Sequence, residues 1–333
     1  MPDPGITEYT LDIVNTMVGL AYIQDQTHFA APRAFDIIPT TARMGQYIAW
    51  ERGAFMRDKA ERRGDSQESS GSGYDFSRLP YFCEVYAHHK DIGHITRGMA
   101  ENFLQAMPMA AAAVLTPEAM SAVFIARVLL LRWEKLTMER YFVPGVWGTD
   151  MDSAAADFVP WNAGTNATIQ ANILAAKRTV LLATGYEPNA LLMSYDAFQA
   201  CSLDPKIQQR FQYTTPDSLT EAMLARYLQV EQLYVAKAVE AISDEGQTIE
   251  TAFIPGDRAL LYYRPDAPGP MQAASAYTFA WTGISAGLNE TMGVASFYIP
   301  QYKTTRVEGE VAIDPRVVGP DLAVFFDKVA PQD

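Results

Sequence analysis

One stretch, residues 116–142 (TPEAMSAVFIARVLLLRWEKLTMERYF), constrains the fold more than any other. Thr116 can cap orphan amides through its hydroxyl, and Pro117 at the first helical position sacrifices no hydrogen bond. No glycine or proline follows until Pro144 and Gly145. A helix of about 25 residues spans roughly 37 Å, longer than most globular helices. Met120, Val123, Phe124, Val128, Leu131 and Met138 recur at three- and four-residue steps. That spacing predicts a buried stripe, with Arg127, Glu134 and Lys135 on a partly wet flank. Such a helix is a spine against which other layers lie.

A chain of 333 residues suggests two domains, or one domain with large excursions. Hydrophobic residues make up 49% and aromatics 11%, enough for a sizeable core. The net charge of −13 argues against tight, sequence-independent nucleic-acid binding and against an anionic membrane surface. Cys83 and Cys201 form no metal-ligand pattern and read as two reduced, packed thiols. The start, MPDPGITEYT, lacks the basic and apolar regions of a signal peptide. The nearest long apolar runs are interrupted by Arg127 and Pro108, so no membrane span and an intracellular protein are expected.

The first 45 residues carry Pro2, Pro4, Pro32 and Pro39 and read as an extended arm with at most a short helix over 10–22. From Gly45, GQYIAWERGAFMRD alternates like a strand; a charged, Ser/Gly-rich tip follows, and LPYFCEVYAHHKDI alternates again. Together they predict a long hairpin whose arms, about a dozen residues each, reach roughly 40 Å. A lone hairpin is marginal in water. This one carries Trp50, Phe55, Met56, Phe82 and Tyr86. It therefore lies either on a neighbouring subunit or back on its own domain. Beyond the spine, an acidic connector runs between Trp147 and Trp161. A second helix is predicted over 166–184, with Ile169, Ile173, Ala176, Val180 and Leu181 as its apolar face and Gly185 as its stop. The texture then turns α/β. ALLMSYDAF is a strand entering a helix, and Ser218 and Glu221 have capping-box spacing. QLYVAKAV and ALLYYR are strands with a loop, EAISDEGQTIETAF, between them. The last strands are AYTFAW, VASFYI, TTRVEGEVAI and LAVFFDKV.

Chemistry is scarce. Residues 283–287 match GxSxG, but that hydrolase turn needs its acid and histidine later in the chain. His28, His88, His89 and His94 all precede Ser285, so a Gly-rich turn is the better reading. His88, His89 and His94 surround Lys90 and Asp91 without zinc-like spacing and read as solvated. SSGSG at 69–73 lacks the Lys-Ser/Thr of a phosphate loop. No catalytic, cofactor-binding or metal-binding residue stands out, and the chain is not expected to be an enzyme. The competing reading from another class is a two-domain enzyme with a mobile lid over 58–78.

Several phrases, with the order arm, hairpin, spine, second helix, α/β insert and closing strands, carry a resemblance. They are VGLAYIQDQTHFAAPRAFDIIP, GQYIAWERGAFMRD, VYAHHKDIG, RYFVPGVWGTD, ATGYEPNALLMSYDAF, DRALLYYRPDAPGPMQ and SAYTFAW, covering about residues 18 to 282. The chain resembles the major capsid proteins of tailed phages with the Hong Kong 97-type fold. The resemblance implies an α+β chain with an N-terminal arm at 1–45 and an E-loop at 46–88. It implies a peripheral domain at 89–185 with return strands at 285–333, and an axial domain at 186–284. In the E-loop, Trp50, Arg52, Phe55, Arg57, Arg62 and Arg63 become candidates for contact with a neighbour. The implied partners are further copies, in pentamers and hexamers, with possible roles for scaffolding, portal and cement proteins; packaged double-stranded DNA is touched only non-specifically. No long helical segment precedes the arm, so a separate scaffolding protein, or none, is expected. No residue here matches the Lys–Asn crosslink of some relatives. An encapsulin-type compartment or a gene-transfer-agent shell shares the same fold.

Overall fold

The computed structural model describes residues 24–104, 116–211, 220–269, 271–284 and 292–331. The expected helix over 10–22, Ser218, and Ser285 with Ala286 and Gly287 of its turn lie outside the described residues. In chain order the strands are β1 (Asp36–Thr40), β2 (Met44–Trp50), β3 (Phe76–Phe82), β4 (Glu84–Gly93) and β5 (Thr149–Asp152). They continue with β6 (Ala190–Ser194), β7 (Gln232–Ala236), β8 (Val239–Ala241), β9 (Thr251–Phe253) and β10 (Ala259–Tyr262). The last four are β11 (Ala276–Trp281), β12 (Met292–Ile299), β13 (Thr304–Val317) and β14 (Ala323–Asp327). The chain divides into two units, one of residues 1–27, 86–130 and 292–311 and one of residues 28–85, 131–291 and 312–333.

The larger unit is built on a five-stranded sheet in the order β5-β14-β10-β6-β7. Strands β6, β10 and β14 (ALLMS, ALLY and AVFFD) are buried almost throughout. Continuous apolar runs are what a sheet covered on both faces requires. Successive residues point to opposite faces, so alternation sorts them into two cores. Leu191, Met193, Leu261, Val324 and Phe326 meet Ile169, Ile173, Ala176 and Val180 of the helix Ile169–Thr184. Leu192, Leu260, Tyr262 and Phe325 meet Met138, Tyr141 and Phe142 at the end of the spine, with Ala30, Ala34 and Phe35 of the arm. Gly185 ends the second helix at φ +76°, donating its N–H to the Leu181 carbonyl, as expected of a glycine stop. Leu181, placed on the apolar face by spacing, is instead exposed.

The spine is the helix Pro117–Tyr141, and Thr116 Oγ1 accepts the Ala119 N–H at 3.3 Å, as its sequence predicts. Its buried stripe differs from the expected one. Ile125, Leu129, Trp133, Leu136, Met138 and Tyr141 are buried, while Met120, Val123 and Phe124 are exposed. Apolar residues surround this helix on most sides, so spacing alone could not choose the face. Glu134, expected on a wet flank, is fully buried. Its Oε2 accepts the N–H of Ala31 at 2.7 Å, at the first turn of the short helix Ala31–Ala34. Burial pushes its carboxyl up to about 7, against the downward pull of the Ala31 and Ala30 amides and of Arg33. The same arm is held by Arg264, whose Nε and Nη2 reach Asp36 at 2.9 and 2.6 Å.

In the smaller unit, β12 pairs antiparallel with the first part of β13. A Cβ on Gly309 of β13 would lie 2.5 Å from Ile125 Cγ2, so only glycine lets the helix pack this closely. Arg306 grips Asp91 through Nε and Nη2 at 2.7 and 2.9 Å.

Several elements were hidden from the sequence. Asp36–Thr40, read as extended arm, pairs parallel with β11 some 240 residues later. Thr149–Asp152, read as acidic connector, is drawn into a strand beside β14. The supposed loop after QLYVAKAV contains the small β8–β9 ladder. Short helices form at Arg52–Phe55, His94–Leu104 and Pro205–Phe211. The helix that the capping-box spacing announced does form, at Glu221–Leu228, but its cap is Thr220, whose Oγ1 accepts the Met223 N–H. Cys83 and Cys201 are buried and unbridged. Among the described residues no helix is long and apolar enough to cross a membrane.

Candidate assembly hairpin

Strands β2 and β3 form a two-stranded antiparallel ladder, from Met44 opposite Phe82 to Trp50 opposite Phe76. At about 3.4 Å per residue these seven-residue arms reach roughly 24 Å, shorter than the sequence suggested. One arm ends because Arg52–Phe55 turns helical; the other breaks at Cys83, where β4 begins. Residues facing one another across a ladder share a face, and the faces alternate. Gly45, Tyr47, Tyr81 and Leu79 therefore share one side; Met44, Ile48, Trp50, Phe76 and Phe82 share the other.

The first side anchors the hairpin to its own unit. Tyr47 and Tyr81 stack on Phe279 of β11, with centroids 5.4 and 4.5 Å apart. Tyr81 also fills the space over Gly45, where a Cβ would come 2.6 Å from its hydroxyl. At the base, Cys83 donates its N–H to the Arg43 carbonyl at 2.9 Å, and Arg43 lies over the Phe82 ring. Phe82 donates its N–H to Asp314 Oδ2 at 2.8 Å. Burial raises the Tyr47 phenol and the Cys83 thiol above their ordinary values, so both stay neutral and act by packing.

The second side has little to cover it. Met44 is 65% exposed, and Ile48, Phe76 and Phe82 are also exposed. At the tip Trp50 packs edge-on against Phe55 and Tyr74 at 6.4 and 5.3 Å, and Phe55 stacks on Tyr74 at 6.0 Å. Even so, Phe55 and Tyr74 remain 59% exposed. The cluster organises its rings against each other and leaves their outer surfaces open.

Of the six residues singled out from sequence, Trp50 and Phe55 come together in this cluster. Arg52 reaches Asp321 of its own chain at 2.8 Å, both side chains half exposed. Arg57, Arg62 and Arg63 lie on an exposed coil with neither helix nor strand, where Arg63 donates Nε to the Gln67 carbonyl at 2.6 Å. Met44, Ile48, Tyr74 and Phe76 belong to the same apolar surface and were missed. Alternation carries their signal, but it can be read only once the ladder register is known. The histidines of the expected solvated group, His88, His89 and His94, are all exposed. Among the described residues no three or more His, Cys, Asp or Glu side chains gather as they would around a metal ion.

No protein-family model and no curated protein matches the sequence. Solved structures do. A phage-related protein from Bordetella bronchiseptica RB50 is similar over 93% of this chain and 94% of its own, with 19% identity and a TM-score of 0.68. The capsid of the cyanophage P-SCSP1u is similar over 93% and 90%, with 10% identity and a TM-score of 0.57. An encapsulin from Synechococcus elongatus PCC 7942 is similar over 99% and 97%, with 12% identity and a TM-score of 0.51. The similarity runs over nearly the whole chain and is one of fold: the chain has the Hong Kong 97-type fold of phage capsids.

Proposed function

We propose that this chain is a structural shell subunit, the major capsid protein of a tailed double-stranded DNA phage or prophage. Its copies would close through pentamers and hexamers into an icosahedral head assembled in the host cytoplasm. The observation that carries this reading, on a fold similar to capsids over nearly the whole chain, is the apolar outer side of the β2–β3 hairpin. Exposed aromatic and aliphatic residues on a two-stranded ribbon need a second surface to bury them. A neighbouring copy supplies one. Trp50 and Phe55 would be the anchors, because buried aromatics dominate interface energetics. Arg57, Arg62 and Arg63 would make exposed contacts worth on the order of 0 to 1 kcal/mol each, and Arg52 would first have to leave Asp321. The residues act by shape and packing, and no catalytic role is assigned to any of them. The net charge of −13 suits a wall that leaves packaged DNA loosely held.

The similarity to an encapsulin favours a second reading, a shell enclosing protein cargo. Light scattering with negative-stain imaging tests both. Closed particles of megadalton mass, formed alone or with a co-expressed scaffolding protein, are expected. Nuclease-protected DNA inside them would mark a phage head, and co-purifying protein cargo a compartment. A chain that stays monomeric under every such condition would overturn the shell reading.

A further inference from the structure

Beneath the hairpin lies a cleft of about 420 Å³. The hairpin lines it with Tyr47, Leu79 and Pro80, and the body of the same unit with Arg140, Arg316 and Val317. Its charge is organised by Asp314, which is fully buried. Asp314 Oδ1 accepts Arg140 Nη1 at 2.5 Å, and Oδ2 accepts Arg316 Nε at 2.7 Å together with the Phe82 N–H. One carboxylate therefore holds two guanidiniums, and both of its oxygens are used. A single positive charge is left over. Among the described residues neither arginine pairs with another acid, and the Nη groups of Arg316 meet no acceptor. Arg140 is tied down further by the Pro315 carbonyl at 3.2 Å.

Two guanidiniums held in place beside one carboxylate suit an anion. The guanidinium forks are already fixed, so an incoming carboxylate orders little on binding. Leu79, Pro80 and Val317 flank the charge with apolar walls, which suit side chains beside an acid better than a bare ion. A polyanion is disfavoured, because a chain of net charge −13 repels one and a single surplus charge neutralises almost nothing of it. We propose that this cleft binds an extended peptide of a partner protein that presents a carboxylate between apolar residues, with Arg140 and Arg316 receiving the carboxylate. The inference is independent of whether the chain closes into shells.

The test is titration calorimetry on the full-length, unassembled chain at low salt. The probes are an acetylated, amidated Ala-Leu-Asp-Leu-Ala peptide, its twin with Asn in place of Asp, and inorganic phosphate. The acidic peptide should bind, and the neutral twin should bind at least tenfold more weakly. Arg316→Gln should lose at least tenfold for the acidic peptide while staying folded by circular dichroism at a lowered urea midpoint, since Arg140 and the Phe82 N–H still hold Asp314. If that variant does not fold, Leu79→Glu places a competing carboxylate at a half-exposed hairpin position and should abolish binding. No binding of the acidic peptide at millimolar concentration overturns the proposal. So does equal affinity for both peptides, or phosphate binding as tightly as the acidic peptide and displacing it.

Discussion

Glu134 offers the sharpest test of the packing described above. It is a carboxyl in the interior of the spine helix, fully buried, with the Ala31 amide on Oε2. Its ordinary value of 4.5 is raised to about 7 in the native chain. A difference of about 2.5 units corresponds to roughly 3 kcal/mol of linked stability. The native state keeps the proton between pH 4.5 and 7, whereas the unfolded chain gives it up. Stability from this group is therefore fully present below the unfolded value and is lost as pH rises through the native one. Glu134→Gln removes the titration while retaining an oxygen to accept the Ala31 N–H. Urea unfolding of the unassembled subunit from pH 5 to pH 8.5 measures both proteins. The difference between their stabilities should change by about 2–3 kcal/mol across that range, the variant gaining relative to the parent at high pH. Every other ionisable group is shared by the two proteins and cancels in the difference. Parallel profiles would show that Glu134 is not charged against its burial in the native state, and would refute the placement of the arm on the spine.

Three further outcomes follow from specific contacts. Gly309→Ala puts a methyl 2.5 Å from Ile125 Cγ2 and should cost about 1–3 kcal/mol in urea unfolding; a neutral result would mean the strand and helix are not in contact there. Trp50→Ala combined with Phe55→Ala should leave a folded subunit by circular dichroism that forms no closed particles under the electron microscope. Normal particles from that double variant would remove these residues from the assembly surface. Deleting residues 65–73, which are exposed and outside helix and strand, should leave the unfolding midpoint within about 0.5 kcal/mol of the parent, the range of surface changes that touch nothing buried.

Much of the fold is legible because it is local. Thr116 and Pro117 start the spine, and Gly185 stops the second helix through backbone geometry that needs no distant partner. The apolar runs at 190–194, 259–262 and 323–327 declare strands buried on both faces before any partner is known. The hairpin, too, announces itself by alternation around a charged, Ser/Gly-rich tip. Trp50 and Phe55 were legible as aromatics on a hairpin too thin to bury them, but the residues alone left open whether they meet a neighbour or their own domain.

The rest belongs to tertiary structure, because it depends on residues far away in the chain. Asp36–Thr40 and Thr149–Asp152 become strands only beside β11 and β14, whose edges supply the missing hydrogen bonds. The spine's periodicity left its buried face open; the arm and the sheet chose it, and in doing so enclosed Glu134. Arg52 found Asp321 across 269 positions, and Asp314 gathered Arg140, Arg316 and the Phe82 amide from three segments. Helix ends, turns and strand runs are decided by neighbours along the chain, so the sequence alone determined them here. Faces, registers and charge clusters are decided by which surfaces meet, and those were settled only when the chain folded.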